Sequence, residues 1–521
     1  MGSTHTVEEC DIAVIGGSLG GVAAALAAAE SGAQVVLTEE TDWIGGQVTS
    51  QAVSALDEYR WIEQVQGSAN YARFRIALRK YYEEEYQAPA RMLDGSPLNP
   101  GNGWVSRLCF EPRVGLSVLQ EMLAPYVWGG RLQILTRHHP VLCEGDPTEL
   151  QGVEVVSARG DRVMLRAGYY LDATDLGDLL PLAGVPYVSG AEAWEDTHEP
   201  HASRDGAHPE RVQSFTVCFL VQFCPGENHT IRKPQGYSSN RVKQPYSLML
   251  TNHLHKTVPY NFFASTEERP LPFWTYRRVF DAAMLNPAGR GGDIALINWP
   301  SNDYRWGNLI DRTPECKSRV FSAARQLSRG FLYWLQTEAP RDDRRGYGYP
   351  ELKILPSAVG TRTGFAQAPY VRESRRIVSM RRIVEQDIAL EANAGKKQAV
   401  FPDSVGIGWY PIDLHACVGD EGTMFAPTIP FQIPLGALIP RDCRNLIAAC
   451  KNIGTTHLTN GSYRLHPVEW SIGEAAGTLA AFCGQIGCSP QSVWENTEKL
   501  ADFQALLRKR GVRLEWPKEF T

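Results

Sequence analysis

The sequence predicts an α/β protein: a parallel sheet packed between helices, interrupted by a large inserted α+β domain. Three observations predict it. An apolar strand runs through clustered glycines into an alanine-rich helix over Asp11–Glu30. A nearly continuous apolar run over Ala33–Glu40 follows at once, as a strand buried on both faces requires. Far later, the short apolar strand Asn445–Cys450 leads through a Gly/Thr/Asn loop into a second helix of small residues.

Taken in order, Asp11–Ile15 form the first strand, and Gly21–Ser31 a helix whose alanines allow close packing on the sheet. Gly32 stops that helix. Ala33–Glu40 is the second strand, so the chain opens as a βαβ unit with a right-handed crossover. Arg131–Arg137 predicts a third parallel strand, with His138 and His139 in a loop beyond it. The segments LQGVEVVSA and DRVMLRAGYYLDAT, divided by a Gly-Asp turn, read as antiparallel strands, with YYLDAT returning to the main sheet. Pro467 can start the late helix that contains IGEAAGTLAAF. The tail DFQALLRKRGVRLEW predicts a final helix and a docking strand. The resulting division is 1–184 for the first part of the nucleotide domain and 185–430 for the insertion, which is rich in Trp, Tyr, Arg and Pro. Residues 431–490 form the second part of the nucleotide domain, and 491–521 the C-terminal helix and tail.

The 521 residues suffice for two or three domains with a large core. Hydrophobic residues make up 43% and charged residues 21%, the balance of an ordinary globular protein. A net charge of −6 with scattered Lys and Arg argues against a nucleic-acid or anionic-membrane partner. The 11 cysteines form no C-x-x-C pair, which points to reduced thiols in a cytoplasmic protein and excludes a redox dithiol of that type. No secretory signal is evident, and no apolar stretch approaches the ~18–20 residues of a membrane span. MGSTHT formally fits an N-myristoylation pattern, which chance explains as well.

Gly16-Gly17-Ser18-Leu19-Gly20-Gly21 reads as a dinucleotide-binding turn with one substitution. A pyrophosphate needs backbone N–H groups and the positive end of a helix dipole. The first glycine makes the turn, the second lets the phosphate approach and the third lets the helix pack on the strand. Gly16 and Gly21 fill the first and third roles; Ser18 replaces the second with a small side chain whose hydroxyl can bond a phosphate oxygen. Glu39 ends the second strand, where a carboxylate accepts both ribose hydroxyls and disfavours a 2′-phosphate. Just beyond it Gly45 and Gly46, followed by Gln47, offer a second place of close backbone approach, as a long bent cofactor requires.

EETDWIGGQVTSQ (39–51) is similar to the flavoprotein pattern of acid, short loop and paired glycines. LDATDLGDLL (171–180) resembles a second flavin signature and makes Asp172 and Asp175 candidate cofactor residues, with Asp175 standing where glycine is usual. PYVRESRRI (369–377), GWYPIDLHAC (408–417) and the block over 433–482, which includes Gly461 and Gly473, extend the match; Cys450–Lys451 stand where that block often has Gly-Arg. On these motifs the chain resembles the FAD-dependent oxidoreductases of the glutathione-reductase-like fold. The resemblance implies a Rossmann-like FAD-binding domain split by a substrate or cap domain. It also implies bound FAD, and hydride transfer to flavin N5 from a small polar organic substrate, with O2 or a carrier as electron acceptor.

By the same resemblance, the start of the late helix points at the flavin's pyrimidine edge, where a helix N-terminus stabilises the negative charge of reduced flavin. His457, Asn460, Tyr463, Arg464 and His466 then lie beside the ring. Hydride removal needs a base for the accompanying proton, and histidine suits work near neutral pH. His466 is the first candidate and His415 the second; Asp413 and His415, two apart on a strand, share one face. Arg464 and Arg372 are candidates to hold a substrate carboxylate or steady reduced flavin. Arg372, Glu373, Arg375 and Arg376 also read as an ion-pair cluster between domains, and His457 as a residue bonding a loop carbonyl. His198, Glu199, His201 and His208 fit no metal-ligand spacing, so no metal is expected. No second G-x-G-x-x-G marks an NAD(P)H domain, and no G-x-S-x-G or H-E-x-x-H marks a hydrolase. A flavin monooxygenase and a flavin-binding component acting on tRNA remain open alternatives.

Overall fold

The computed structural model describes residues 5–251, 256–285 and 291–520; Gly2 of the myristoylation-like pattern lies outside them. The first strand is longer than its apolar stretch: β1 (His5–Ile15) begins in the polar segment, because His5–Cys10 pair with the edge-reaching start of β6 (Arg162–Asp172). α1 (Leu19–Glu30) follows, then β2 (Val35–Glu39), α2 (Ala69–Glu85), α3 (Pro112–Trp128) and β3 (Leu132–Thr136). β4 (His138–Asp146) and β5 (Glu149–Ser157) complete an antiparallel ribbon with β6. His138 and His139 therefore lie in a strand, not the expected loop; β4 is half-exposed and polar, so it carries no apolar run to announce it.

The sheet runs in the order β3-β2-β1-β6-β5-β4. β15 (Leu446–Ala448) adds a parallel neighbour to the far end of β6. Thus β6 pairs with β1 throughout, with β5 over its first residues and with β15 over its last. The chain is an α/β protein with a Rossmann-like nucleotide-binding sheet that carries a large α+β insertion.

The insertion holds β7 (Phe215–Thr216), β8 (Phe219–Phe223), β9 (Arg278–Phe280), β10 (Ile294–Ile297), β11 (Asp303–Tyr304) and β12 (Leu352–Ile354). β9, β10, β8 and β12 form one antiparallel sheet. Long helix α4 (Pro314–Thr337) packs near it. The aromatic wealth of this region is largely core: Phe262, Phe273, Trp274, Trp299, Phe331 and Trp334 are buried in one cluster.

β13 (Ile412–Leu414) and β14 (Met424–Ala426) form a hairpin. After β15 come α5 (His457–Tyr463), α6 (His466–Ile486) and α7 (Thr497–Lys509). α6 crosses α1 at glycines: a Cβ on Gly473 would lie 1.9 Å from Gly20 O, and one on Gly477 2.1 Å from Ala24 O. The expected docking strand after α7 is instead irregular chain, anchored by buried Val512, Leu514 and Trp516.

Candidate active site

The glycine turn has the geometry its sequence demands. Gly16 sits at φ +102°, and a Cβ there would meet Ala173 O at 2.4 Å. A Cβ on Gly21 would meet Gly16 O at 2.0 Å, so the third glycine lets α1 seat against the turn. Ser18 caps α1, its Oγ accepting the Gly21 N–H at 3.1 Å. Glu39 is buried at the end of β2. Its carboxylate accepts the Gly17 N–H at 3.0 Å and both the N–H and hydroxyl of Thr41, at 2.8 and 2.6 Å. Burial pushes its carboxyl up to about 7, against the pull of the Thr41 bonds. A small cavity of about 40 Å³ opens beside Gly16, Ser18, Thr38, Glu39 and Thr174.

The paired glycines close directly on this turn. Gly45 donates its N–H to Gly17 O at 2.6 Å, and a Cβ on Gly46 would lie 2.9 Å from Ser18 Cα. Gln47 Nε2 donates to Arg464 O at 3.1 Å and to the Glu469 carboxylate. Asp175 bonds Lys451 at 2.5 Å and Gln51 at 2.6 Å. Asp172 caps its own loop instead: its oxygens accept from Thr174 N, Thr174 Oγ1 and Leu179 N. Its carboxyl is pushed up to about 7 by burial. Gly461 and Gly473 are packing glycines. The first lies against the Asp413 backbone, the second against Gly20 of α1.

A second cavity, of about 80 Å³, lies where the insertion, including β13, meets the Asp57 loop and Arg464 at the end of α5. Arg372, Asp413, His415 and Arg464 all line it, together with Asp57 and Arg277. Each guanidinium has a carboxylate: Arg277 with Asp57 at 3.1 Å, Arg372 with Asp303 at 3.0 Å, Arg464 with Asp413 at 3.3 Å. Tyr370 OH accepts from Arg464 at 2.9 Å. His415 Nδ1 bonds Asp303 at 2.6 Å. Burial works to raise the Asp303 carboxyl, but Arg372 and His415 hold it well below the usual carboxylate range. The β7–β11 bridge, which sets Asp303 opposite Thr216, delivers this carboxylate.

Arg372 is tied to Ser214 O, Thr216 Oγ1, Asn298 Oδ1 and Asp303, and so is fitted to position Asp303. Arg375 bonds Asp178 and Asp311, while Arg376 bonds Glu192 and Glu373, so these two serve as buried ties.

His466, the first candidate base, stands apart from the cavity. Its Nδ1 accepts the Asp57 N–H at 2.9 Å and its Nε2 lies 3.1 Å from Val53 O. Both ring nitrogens are spent on backbone, and burial holds the imidazole below its ordinary range. Neither nitrogen is left to take a proton from a substrate. His457 bonds Glu373 at 2.9 Å rather than a loop carbonyl. His201 bonds Glu385, and Glu199 accepts from Thr456, so the acidic histidine-bearing stretch is tied to neighbouring loops. Elsewhere Cys224, Glu227 and His229 bring ligand atoms within 4.8 Å of one another. No helix among the described residues is long and apolar enough to cross a membrane.

Sequence reasoning missed Asp57, Arg277 and Asp303, and above all Glu469. Glu469 did carry a signal: an acid in the first turn of an otherwise small and apolar helix begun by Pro467.

A Rossmann-like sheet, a glycine turn, an acid closing β2 and a late helix returning to that turn define the architecture of a flavoprotein. The family model described as FAD dependent oxidoreductase matches residues 11–507, and the chain belongs to that family, whose cofactor is FAD. No curated protein matches the chain. Among solved structures, a variant of E. coli quinol fumarate reductase FrdA is similar at 12% identity, covering 97% of this chain and 74% of that one, TM-score 0.33. A geranylgeranyl bacteriochlorophyll reductase-like protein from Thermoplasma acidophilum is similar at 10% identity, covering 98% and 85%, TM-score 0.35. Mycobacterium smegmatis Sdh1 is similar at 12% identity, covering 97% and 76%, TM-score 0.33.

The residues present suit FAD unevenly. Gly16 shapes the turn, Gly21 lets α1 seat against it, and Glu39 borders the small cavity beside it, where they would hold the adenosine end. The pyrophosphate seat does not fit, because side chains of the protein fill it.

Proposed function

We propose that this FAD-dependent oxidoreductase oxidises a small polar organic substrate in the cavity between the insertion and the Asp57 and Arg464 segments. His415 acts as the base. The observation that carries this reading is the 2.6 Å bond between His415 Nδ1 and Asp303. A carboxylate on Nδ1 fixes the tautomer and orients the ring, and steadies the imidazolium that forms when Nε2 takes a proton. Nε2 makes no hydrogen bond among the described residues, and Asp413 Oδ2 stands 3.9 Å from it. Arg464, braced by Tyr370 and Asp413, supplies a cation for a substrate carboxylate or hydroxyl. Arg372 and Asp303 are positioning residues.

Oxidation itself comes with family membership; the steps assigned to this chain's residues are binding and proton removal. The electron acceptor is O2 or a carrier. Eleven free thiols support a cytoplasmic setting. The test is anaerobic mixing of FAD-reconstituted protein with sugars, amines, hydroxy acids and phenolics. One class should bleach the flavin, and His415→Gln should slow bleaching about 100-fold. An unchanged rate in that variant would remove His415 from the role.

A further inference from the structure

In this fold a dinucleotide's pyrophosphate rests on the first-turn amides of the helix after the glycine turn. Here that place is filled from within. Glu469, buried in the first turn of α6, directs one carboxylate oxygen to the Gly20 N–H at 3.0 Å and to Cys450 Sγ at 3.4 Å. The other oxygen accepts from Gln47 Nε2 and lies 3.6 Å from Lys451 Nζ. Lys451 also bonds Asp175, whose second oxygen is held by Gln51. The neighbouring Gly21 N–H is taken by Ser18 Oγ.

We infer that Glu469 is a built-in surrogate for the pyrophosphate, so that FAD reaches its extended pose only by displacing this carboxylate. Geometry supports this first: the α1 amides at Gly20 and Gly21, which would grip a phosphate, already have oxygen partners. Charge supports it next. A pyrophosphate at this point would press against Glu469 and Asp175, with Lys451 the one cation bonded to them among the described residues. Burial alone would depress the Lys451 ammonium, but Asp175 and Glu469 carry it well above the ordinary lysine range, so it stays charged and committed to them. The sequence supports it independently. Ser18, Asp175 and Cys450 each stand where the resembled flavin pattern has glycine, and all three add atoms to this one cluster. Gln47 Oε1 and Gln51 Oε1 remain buried without a hydrogen-bond partner at its edge, two acceptors that further disfavour an anion.

The inference rests on the family's cofactor but not on the role of His415. It is tested by titrating the full-length protein, Glu469→Gln and Glu469→Gly with adenosine, ADP and FAD, followed by calorimetry and by quenching of flavin fluorescence. Glu469→Gln keeps an oxygen for Gly20 while removing the charge, and it decides the matter if the glycine variant fails to fold. In the wild type ADP and FAD should bind no more tightly than adenosine. In Glu469→Gln both should gain about tenfold, with adenosine unchanged, as expected for losing one repulsive contact to phosphate. Submicromolar FAD binding by the wild type, ADP binding more tightly than adenosine in the wild type, or unchanged affinities in the variants would each overturn the surrogate. Such a result leaves the substrate cavity as proposed. A flavin-loaded protein that no substrate bleaches counts against that cavity alone.

Discussion

Gly20 and Glu469 share a hydrogen bond of 3.0 Å across 449 positions of sequence. It binds the first turns of α1 and α6 to one carboxylate, so the positive ends of two helix dipoles face the same negative charge.

Removing that carboxylate strands partners on both sides. Glu469→Ala leaves the Gly20 N–H, an amide of Gln47 and part of the Lys451 charge unmet in a buried place. We expect a loss of about 3 kcal/mol, within the range for breaking a buried charged cluster. Glu469→Gln should lose less. Thermal unfolding of the ligand-free proteins measures both, and equal melting temperatures for all three forms would contradict the account.

The substrate cavity makes a kinetic prediction. Asp303→Asn removes the charge that steadies protonated His415 while keeping the ring oriented. The rate of substrate oxidation, read as flavin bleaching, should fall by about 10–100-fold, and an unchanged rate would remove Asp303 from its positioning role. His466→Gln should change stability while leaving that rate in place, because both its ring nitrogens serve backbone groups.

His457 and Glu373 predict a dependence of stability on pH. Burial opposes the charge on His457, yet Glu373 prevails and carries the imidazole up to about 10. A group whose folded value is raised stabilises fully below its unfolded value of about 6.5, and loses that contribution as pH climbs through the folded one. His457→Gln should therefore be less stable than the wild type by about 1–3 kcal/mol near neutral pH. The gap should narrow as pH rises from 7 towards about 10. Denaturant titrations at several pH values give the comparison; a gap that widens with pH would refute it.

Gly473 offers a packing test. A Cβ there would stand 1.9 Å from Gly20 O, so Gly473→Ala must push α6 off α1. A loss of about 1–3 kcal/mol is expected from overpacking. The loss should be the same with and without added FAD, as read by thermal unfolding; a variant as stable as the wild type would show that the two helices can part at no cost.

The opening of the chain announces its own fold, since apolar strands, glycines at a tight turn and an alanine helix are local features. What stayed hidden depends on partners distant in sequence. Asp303 reaches His415 through a bridge of two residues per strand, too short to leave a period. His466 looks free in sequence, because the peptides of Val53 and Asp57 that occupy it leave no mark on side-chain pattern. Ser18, Asp175 and Cys450 were each visible as single departures, but only folding shows that they converge with Glu469 on one point. β4 escaped notice because a half-exposed strand containing Pro140 and two histidines has neither apolar alternation nor a run.

The way β6 is shared bears on biosynthesis. Its final three residues wait for partners at 446–448, so a growing polypeptide holds an open sheet margin for most of its time on the ribosome. Chaperone demand should be high during that interval, and truncations that end before β15 should accumulate as aggregates rather than as smaller folded proteins.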